Sequence, residues 1–139
     1  MELKEKMYVR TSIGIKKIDH IDYKKTVWKY LYKANEDNEF YALSDNDIIN
    51  ASLDIIDLLE EGDLVGIEYY STQSEEKVTR LFEVDYKYGK SMNLMNSHFQ
   101  FLVLDGKFSK KSEEFEPVIK TIVTKEQIKQ ISYKVGEKI

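Results

Sequence analysis

The sequence predicts a mainly β protein, a β-rich α+β fold built on a curled antiparallel sheet or partly open barrel, with a helical connector and a short C-terminal helix. Three observations lead there. Apolar residues recur with period two in several short runs, glycines and polar clusters punctuate those runs, and only two regions carry helical signals. Short strands joined by turns suit antiparallel pairing, because parallel βαβ units would need a helix after each strand.

Met7–Thr11, the turn Ser12-Ile13-Gly14 and Ile15–Ile21 read as two strands about a bend. Thr26–Lys33 alternates, with Trp28, Tyr30 and Tyr32 on one face and Val27, Lys29, Leu31 and Lys33 on the other. Asn35–Glu39 is turn material, after which Phe40–Leu43 returns as a hairpin partner. Ser44-Asp45-Asn46-Asp47 has capping-box spacing and predicts a helical turn through Asn50. Leu53–Glu60, polar at every third position, predicts an amphipathic helix that Gly62 ends. Alternation resumes over Leu64–Tyr70, and Ser71–Lys77 forms a loop. Val78–Tyr88 predicts a half-buried strand with Phe82, Val84, Tyr86 and Tyr88 sharing one face. Phe99–Leu104 is a further strand ended by the hairpin signal Asp105-Gly106, and Lys107–Glu116 is polar. Pro117 introduces Val118–Val123, and Thr124-Lys125-Glu126-Gln127 caps a terminal helix through Ile131. The Glu61–Val65 step resembles the turn that launches a barrel strand, which favours an SH3-like partly open barrel. The expected organisation is a single domain over 1–139, with N-terminal β-hairpins over 7–43, the helical connector over 44–63, the main antiparallel sheet over 64–123 and a C-terminal helix and tail over 124–135.

Composition narrows the chemistry. At 139 residues the chain supports one domain with a real core. The absence of cysteine excludes disulfides, thiolate zinc sites and cysteine nucleophiles, and two histidines cannot complete a four-ligand zinc cage. Apolar runs fall far short of the roughly 20 residues that span a bilayer, and the N-terminus lacks an apolar signal core, so a soluble cytoplasmic protein is expected. A net charge of −4 disfavours non-specific nucleic-acid binding. Of the 21 basic residues only Arg10 and Arg80 are arginines, which restricts bidentate phosphate recognition to two positions.

The candidate catalytic groups do not assemble. His20, between Asp19 and Asp22, alternates away from Asp19 and reads as an exposed strand end. His98 has no nucleophile motif around it. Asp45-Asn46-Asp47 opens like a calcium loop, but the sixth position is Asn50 and the twelfth Ile56 where Gly and Glu are needed. The acidic clusters at 36–39, 57–63 and 113–116 read as solvated faces, and the glycines are scattered singly. No enzyme, cofactor or metal is expected. Aromatics favour strands and fill small β cores, so packing is their default, although Trp28, Tyr30 and Tyr32 with Lys29 and Lys33 also suit a stacking platform.

Tyr8-Val9-Arg10-Thr11 with Gly14 and Ile15, the central Ser52–Asp63, and Ile122-Val123-Thr124-Lys125-Glu126-Gln127 with Tyr133-Lys134-Val135 together resemble a loose group of small phage and prophage proteins of low-GC Gram-positive bacteria. The resemblance implies a non-enzymatic phage-encoded binding protein that antagonises a host antiviral defence system. Its partner is then either a host defence protein such as a CRISPR effector, which it occludes, or a signalling nucleotide, which it sequesters. Occlusion needs an exposed apolar or acidic patch, and sequestration needs convergent Lys, Arg and Tyr. The alternative is an SH3-like housekeeping module that binds phage protein or nucleic acid in replication or transcription. Tyr69 to Pro117 matches no part of the pattern, so the binding surface is expected there, at Tyr69, Tyr70, Arg80, Tyr86 and Tyr88, with Trp28 and Tyr30 as further candidates.

Overall fold

Tyr8–Thr11 (β1) runs through Ser12-Ile13 into Gly14–Lys17 (β2), and its other edge pairs with Ile48–Ser52 (β6), giving a three-stranded antiparallel sheet. The turn is held by Thr11, whose Oγ1 donates to the Gly14 carbonyl at 2.7 Å and accepts the Ile13 N–H at 3.2 Å. The computed structural model describes residues 2–33, 39–109 and 116–130. It is mainly β, with a curled antiparallel half-barrel sheet and one short C-terminal helix. Contacts divide the chain into two compact units, Met1–Leu58 and Leu59–Ile139, with the boundary inside the segment expected to connect the two β regions.

In the first unit, His20–Ile21 (β3), Tyr30–Lys33 (β4) and Phe40–Leu43 (β5) form a second three-stranded sheet. The single strand expected over Ile15–Ile21 is therefore two, interrupted at Ile18 and Asp19 where the chain leaves one sheet for the other. The strand expected from Thr26 begins only at Tyr30. The turn expected at Asn35–Glu39 lies almost wholly outside the described residues. Met7, Val9, Ile18, Ile21, Tyr30, Tyr32, Leu43 and Ala51 pack as one core.

The helical connector is corrected to two 3₁₀ turns, Asp45–Asp47 and Ile55–Leu58, on either side of β6. Local side chains explain the change. Asp54 Oδ1 accepts the Ile56 N–H at 3.0 Å, and Ser52 Oγ accepts the Asp54 N–H at 3.1 Å while donating to Asp57 Oδ2 at 2.6 Å. These bonds compete with an α-helical ladder that is too short to nucleate alone. Arg10, fully buried, donates from Nη1 to the Leu58 carbonyl at 2.8 Å and fixes the end of the turn.

The second unit is a six-stranded antiparallel sheet. Its order is Lys107–Phe108 (β11), Gln100–Leu104 (β10), Ser91–Met95 (β9), Glu76–Tyr88 (β8), Leu64–Ser71 (β7) and Val118–Val123 (β12). Strand β9 was not anticipated, although Ser-Met-Asn-Leu-Met alternates and follows a two-residue turn at Gly89. Asp105 and Gly106 both take positive φ, as a two-residue type I′ hairpin requires, and join β10 to β11. Val65, Ile67, Phe82, Val84, Met92, Leu94 and Val103 are buried on the inner face. Residues 125–130 are helical behind Thr124, whose capping box with Gln127 is present as expected. Ile131 and the tail beyond it, and most of the polar Lys107–Glu116 segment, lie outside the described residues.

Candidate functional site

Strand register decides which side chains share a surface. Val65 pairs with Phe82, Ile67 with Arg80 and Tyr69 with Val78, so Arg80 and Tyr69 point to the inner face of the sheet. Tyr69 packs edge-to-face against Phe82, Phe99 and Phe101, with ring centroids 6.1, 6.0 and 5.2 Å apart, and is part of the aromatic core at that end. Arg80 is exposed at its margin, and its Nη1 donates to the Thr79 carbonyl at 3.1 Å. Tyr70, paired with Lys77, faces outward.

Alternation alone would place Tyr86 and Tyr88 with Phe82 and Val84, and the structure corrects this. Val84 pairs with Leu94, but Tyr86 pairs with Asn93, so Asp85 is an extra residue and the strand bulges. The bulge inverts the phase of everything after it. Lys87 now takes the inner side opposite buried Met92, while Tyr86 and Tyr88 turn outward, 46% and 85% exposed. Tyr70 lies nine positions of β8 away from Tyr86, about 30 Å at roughly 3.3 Å per residue. The five candidates in this unit therefore form no single site. Trp28 and Tyr30 belong to the other unit.

Across the outer face, Tyr86, Asn93 and Leu102 lie in one cross-strand row, with Tyr88 and Leu104 one step along and Met95 beside Glu83 on the other side. Leu81, two residues before Glu83, is 56% exposed. These exposed apolar side chains span three adjacent strands, interrupted by Ser91, Asn93 and Gln100. Leu81, Met95, Leu102 and Leu104 were missed in the sequence reading. For Leu102 and Leu104 the signal was Phe-Gln-Phe-Leu-Val-Leu at 99–104, which is too apolar on both alternating sets for a strand with one wet face.

Other candidates have structural partners. Tyr30 is buried and its hydroxyl donates to Asp45 Oδ1 at 2.6 Å. Burial first, then this bond and the Asp45 charge, push its pKa up to about 12. Tyr32 is also raised, by burial and then by Tyr41 and Asp47. Asp47 Oδ2 accepts from Ser44 N and Oγ, at 2.8 and 3.1 Å. His20 is exposed, 2.9 Å from Asp19 Oδ2, and His98 donates its backbone N–H to Asn96 Oδ1. Buried Arg10 leaves Arg80 as the one arginine at the surface. Among the described residues no group of three or more His, Asp or Glu is placed to hold a metal, and no helix is long and apolar enough to cross a membrane.

In unit one the β3–β4 connection carries a second surface. Tyr23 is 79% exposed and Trp28 53% exposed, with exposed Lys24 and Lys25 between them. On the adjoining sheet Lys33 Nζ stands 5.6 Å from the Phe40 ring centroid, and His20 meets Phe40 edge-on at 5.2 Å.

Set against models of known protein families, curated proteins and solved structures, the chain matches none.

Proposed function

We propose that this is a non-enzymatic, phage-encoded binding protein that antagonises a host antiviral defence system by occluding a protein partner in the host cytoplasm. The observation that carries the reading is the outer face of β8, β9 and β10, where Leu81, Tyr86, Tyr88, Met95, Leu102 and Leu104 are exposed together. Exposed apolar side chains clustered on one sheet face with polar residues among them suit a protein interaction site, and tyrosine and methionine are enriched in the centres of such sites. Sequestration of a small nucleotide fits less well. It needs convergent groups in an enclosing pocket, whereas Tyr69 and Arg80 face inward, Tyr86 and Tyr88 face outward, and Tyr30 and Arg10 are buried.

Expression of the protein in a low-GC Gram-positive host carrying a panel of phage-defence systems tests this. Restored phage plating on one system is expected, lost on substituting Leu102→Lys with Leu104→Lys while the fold is retained. No effect on any system, or an effect indifferent to those substitutions, would overturn the reading.

A further inference from the structure

The chain carries a net charge of −4, yet residues 23–33 hold Lys24, Lys25, Lys29 and Lys33 and no carboxylate. The same stretch places the single tryptophan, Trp28, and Tyr23 in the exposed β3–β4 loop on either side of Lys24 and Lys25. Asp22 closes that loop, accepting the Lys25 N–H on its carbonyl at 3.1 Å and the Lys24 N–H on Oδ1 at 3.1 Å, while its own N–H donates to the Lys29 carbonyl at 2.8 Å. Asp22 is thereby engaged with backbone, and no carboxylate among the described residues lies within ion-pair distance of the Lys24 or Lys25 ammonium. Lys29 is 3.9 Å from Asp45.

The adjoining sheet extends the pattern. Leu31 and Lys33 alternate onto the outer side of β4, where His20 pairs with Leu31 and half-exposed Phe40 pairs with Lys33. Exposed rings interleaved with ammonium groups along an open hairpin match a flexible polyanion whose flat faces can stack. They do not match a small ligand, which needs enclosure. Lysine also fits this mode, because tracking a phosphate backbone needs point charges and not planar forks.

We propose that the β3–β4 hairpin binds single-stranded nucleic acid, with bases stacked on Trp28 and Tyr23 and phosphates neutralised by Lys24, Lys25 and Lys33. Recognition is tolerant of sequence, since stacking uses the face that every base presents. This hairpin belongs to the first unit and the outer face of β8, β9 and β10 to the second, and neither reading depends on the other.

Trp28 is the only tryptophan, so its emission reports on this loop alone. The full-length protein is titrated with oligothymidylate and with oligouridylate in dilute salt, with tryptophan emission and the anisotropy of labelled oligonucleotide as readouts. Saturable quenching by one or both is expected, with a log–log salt slope of about −2 for three neutralised phosphates. The double variant Lys24→Glu with Lys25→Glu should weaken binding by about tenfold or more, and Trp28→Ala by about tenfold in anisotropy. Lys129→Glu on the C-terminal helix, exposed and remote in sequence, should stay within about twofold. Circular dichroism and thermal midpoints confirm that each variant is folded. Absence of quenching, equal affinity for duplex of the same length, undiminished binding by the double variant, or quenching by phosphatidylserine vesicles in place of oligonucleotide would each overturn the proposal.

Discussion

Asp63 Oδ1 accepts the backbone N–H of Lys125 at 2.9 Å, a bond that spans 62 residues and ties the start of the C-terminal helix to the turn before β7. The other oxygen, Oδ2, accepts the Glu60 N–H at 2.8 Å, and the Asp63 carbonyl accepts the Val84 N–H at 2.9 Å. Asp63 is fully buried, and its carboxylate joins two half-buried backbone donors from distant parts of the chain. Asp63→Ala removes the acceptor of two backbone donors at about 1 kcal/mol each, and Asp63→Asn turns an amide N–H₂ toward one of them. Urea denaturation should show a large loss for Ala and a smaller one for Asn, whereas Glu61→Ala at the exposed tip should cost much less.

The adjacent cap is a separate contribution. Thr124 is buried, its N–H donates to Gln127 Oε1 at 2.9 Å and its Oγ1 accepts the Gln127 N–H at 3.3 Å. Thr124→Ala should lower stability by about 1 kcal/mol, the usual worth of such a cap. Thr72→Ala, in the exposed β7–β8 turn, should leave the denaturation midpoint unchanged.

That cap was legible because Thr-Lys-Glu-Gln states its own geometry in four consecutive residues, and Asp105-Gly106 did the same for the β10–β11 hairpin. The second capping-box signal, at Ser44, was real chemistry with a different outcome. Its bonds close one 3₁₀ turn, after which pairing of Ile48–Ser52 with β1 wins over helical propensity. Asp63 and Arg10 show the limit from the other side. Their roles depend on partners 62 and 48 residues away, Lys125 and Leu58, and nothing local marks them as buried.

The Tyr30–Asp45 bond predicts an alkaline effect. The folded state holds the Tyr30 proton to about pH 12, whereas the unfolded chain releases it near the usual 10.0. The folded form therefore binds more protons between those values, so the contribution is complete below pH about 10 and is lost as pH rises toward 12. Denaturation midpoints measured from pH about 8 to about 11.5 should fall at the alkaline end, and Tyr30→Phe, which cannot titrate, should fall less steeply. Parallel curves would assign the loss to other groups.

Gly66 predicts a coupled pair. A Cβ at this position would overlap Thr121 Oγ1, because the register shift between Ile119 and Thr121 sets Thr121 opposite Gly66. Gly66→Ala should cost about 1–3 kcal/mol by overpacking. Adding Thr121→Ala removes the overlapped atom and should recover most of that loss, giving a clear non-additive term in a double-mutant cycle. Additive losses would mean that Thr121 simply rotates aside.

The bulge at Asp85 controls which face the two exposed tyrosines occupy, and it separates residue identity from residue count. Phe82 and Tyr88 are six apart on one strand and would share a face under simple alternation, yet Phe82 is buried and Tyr88 is exposed. Phe82→Ala should therefore cost about 3–5 kcal/mol and Tyr88→Ala no more than about 0.5 kcal/mol. Asp85→Ala keeps the extra residue, and with it the inverted phase, so stability should change little. Deleting Asp85 removes the extra residue and leaves plain alternation from Val84 to Tyr86. Val84 then stays inward at Leu94, Tyr86 and Tyr88 stay outward at Asn93 and Ser91, and Lys87 stays opposite Met92, so the register with β9 is kept. The deletion should therefore be tolerated nearly as well as the substitution and leave any activity of the outer face in place. A deletion variant far less stable than Asp85→Ala would show that the bulge holds the sheet by more than the phase it sets.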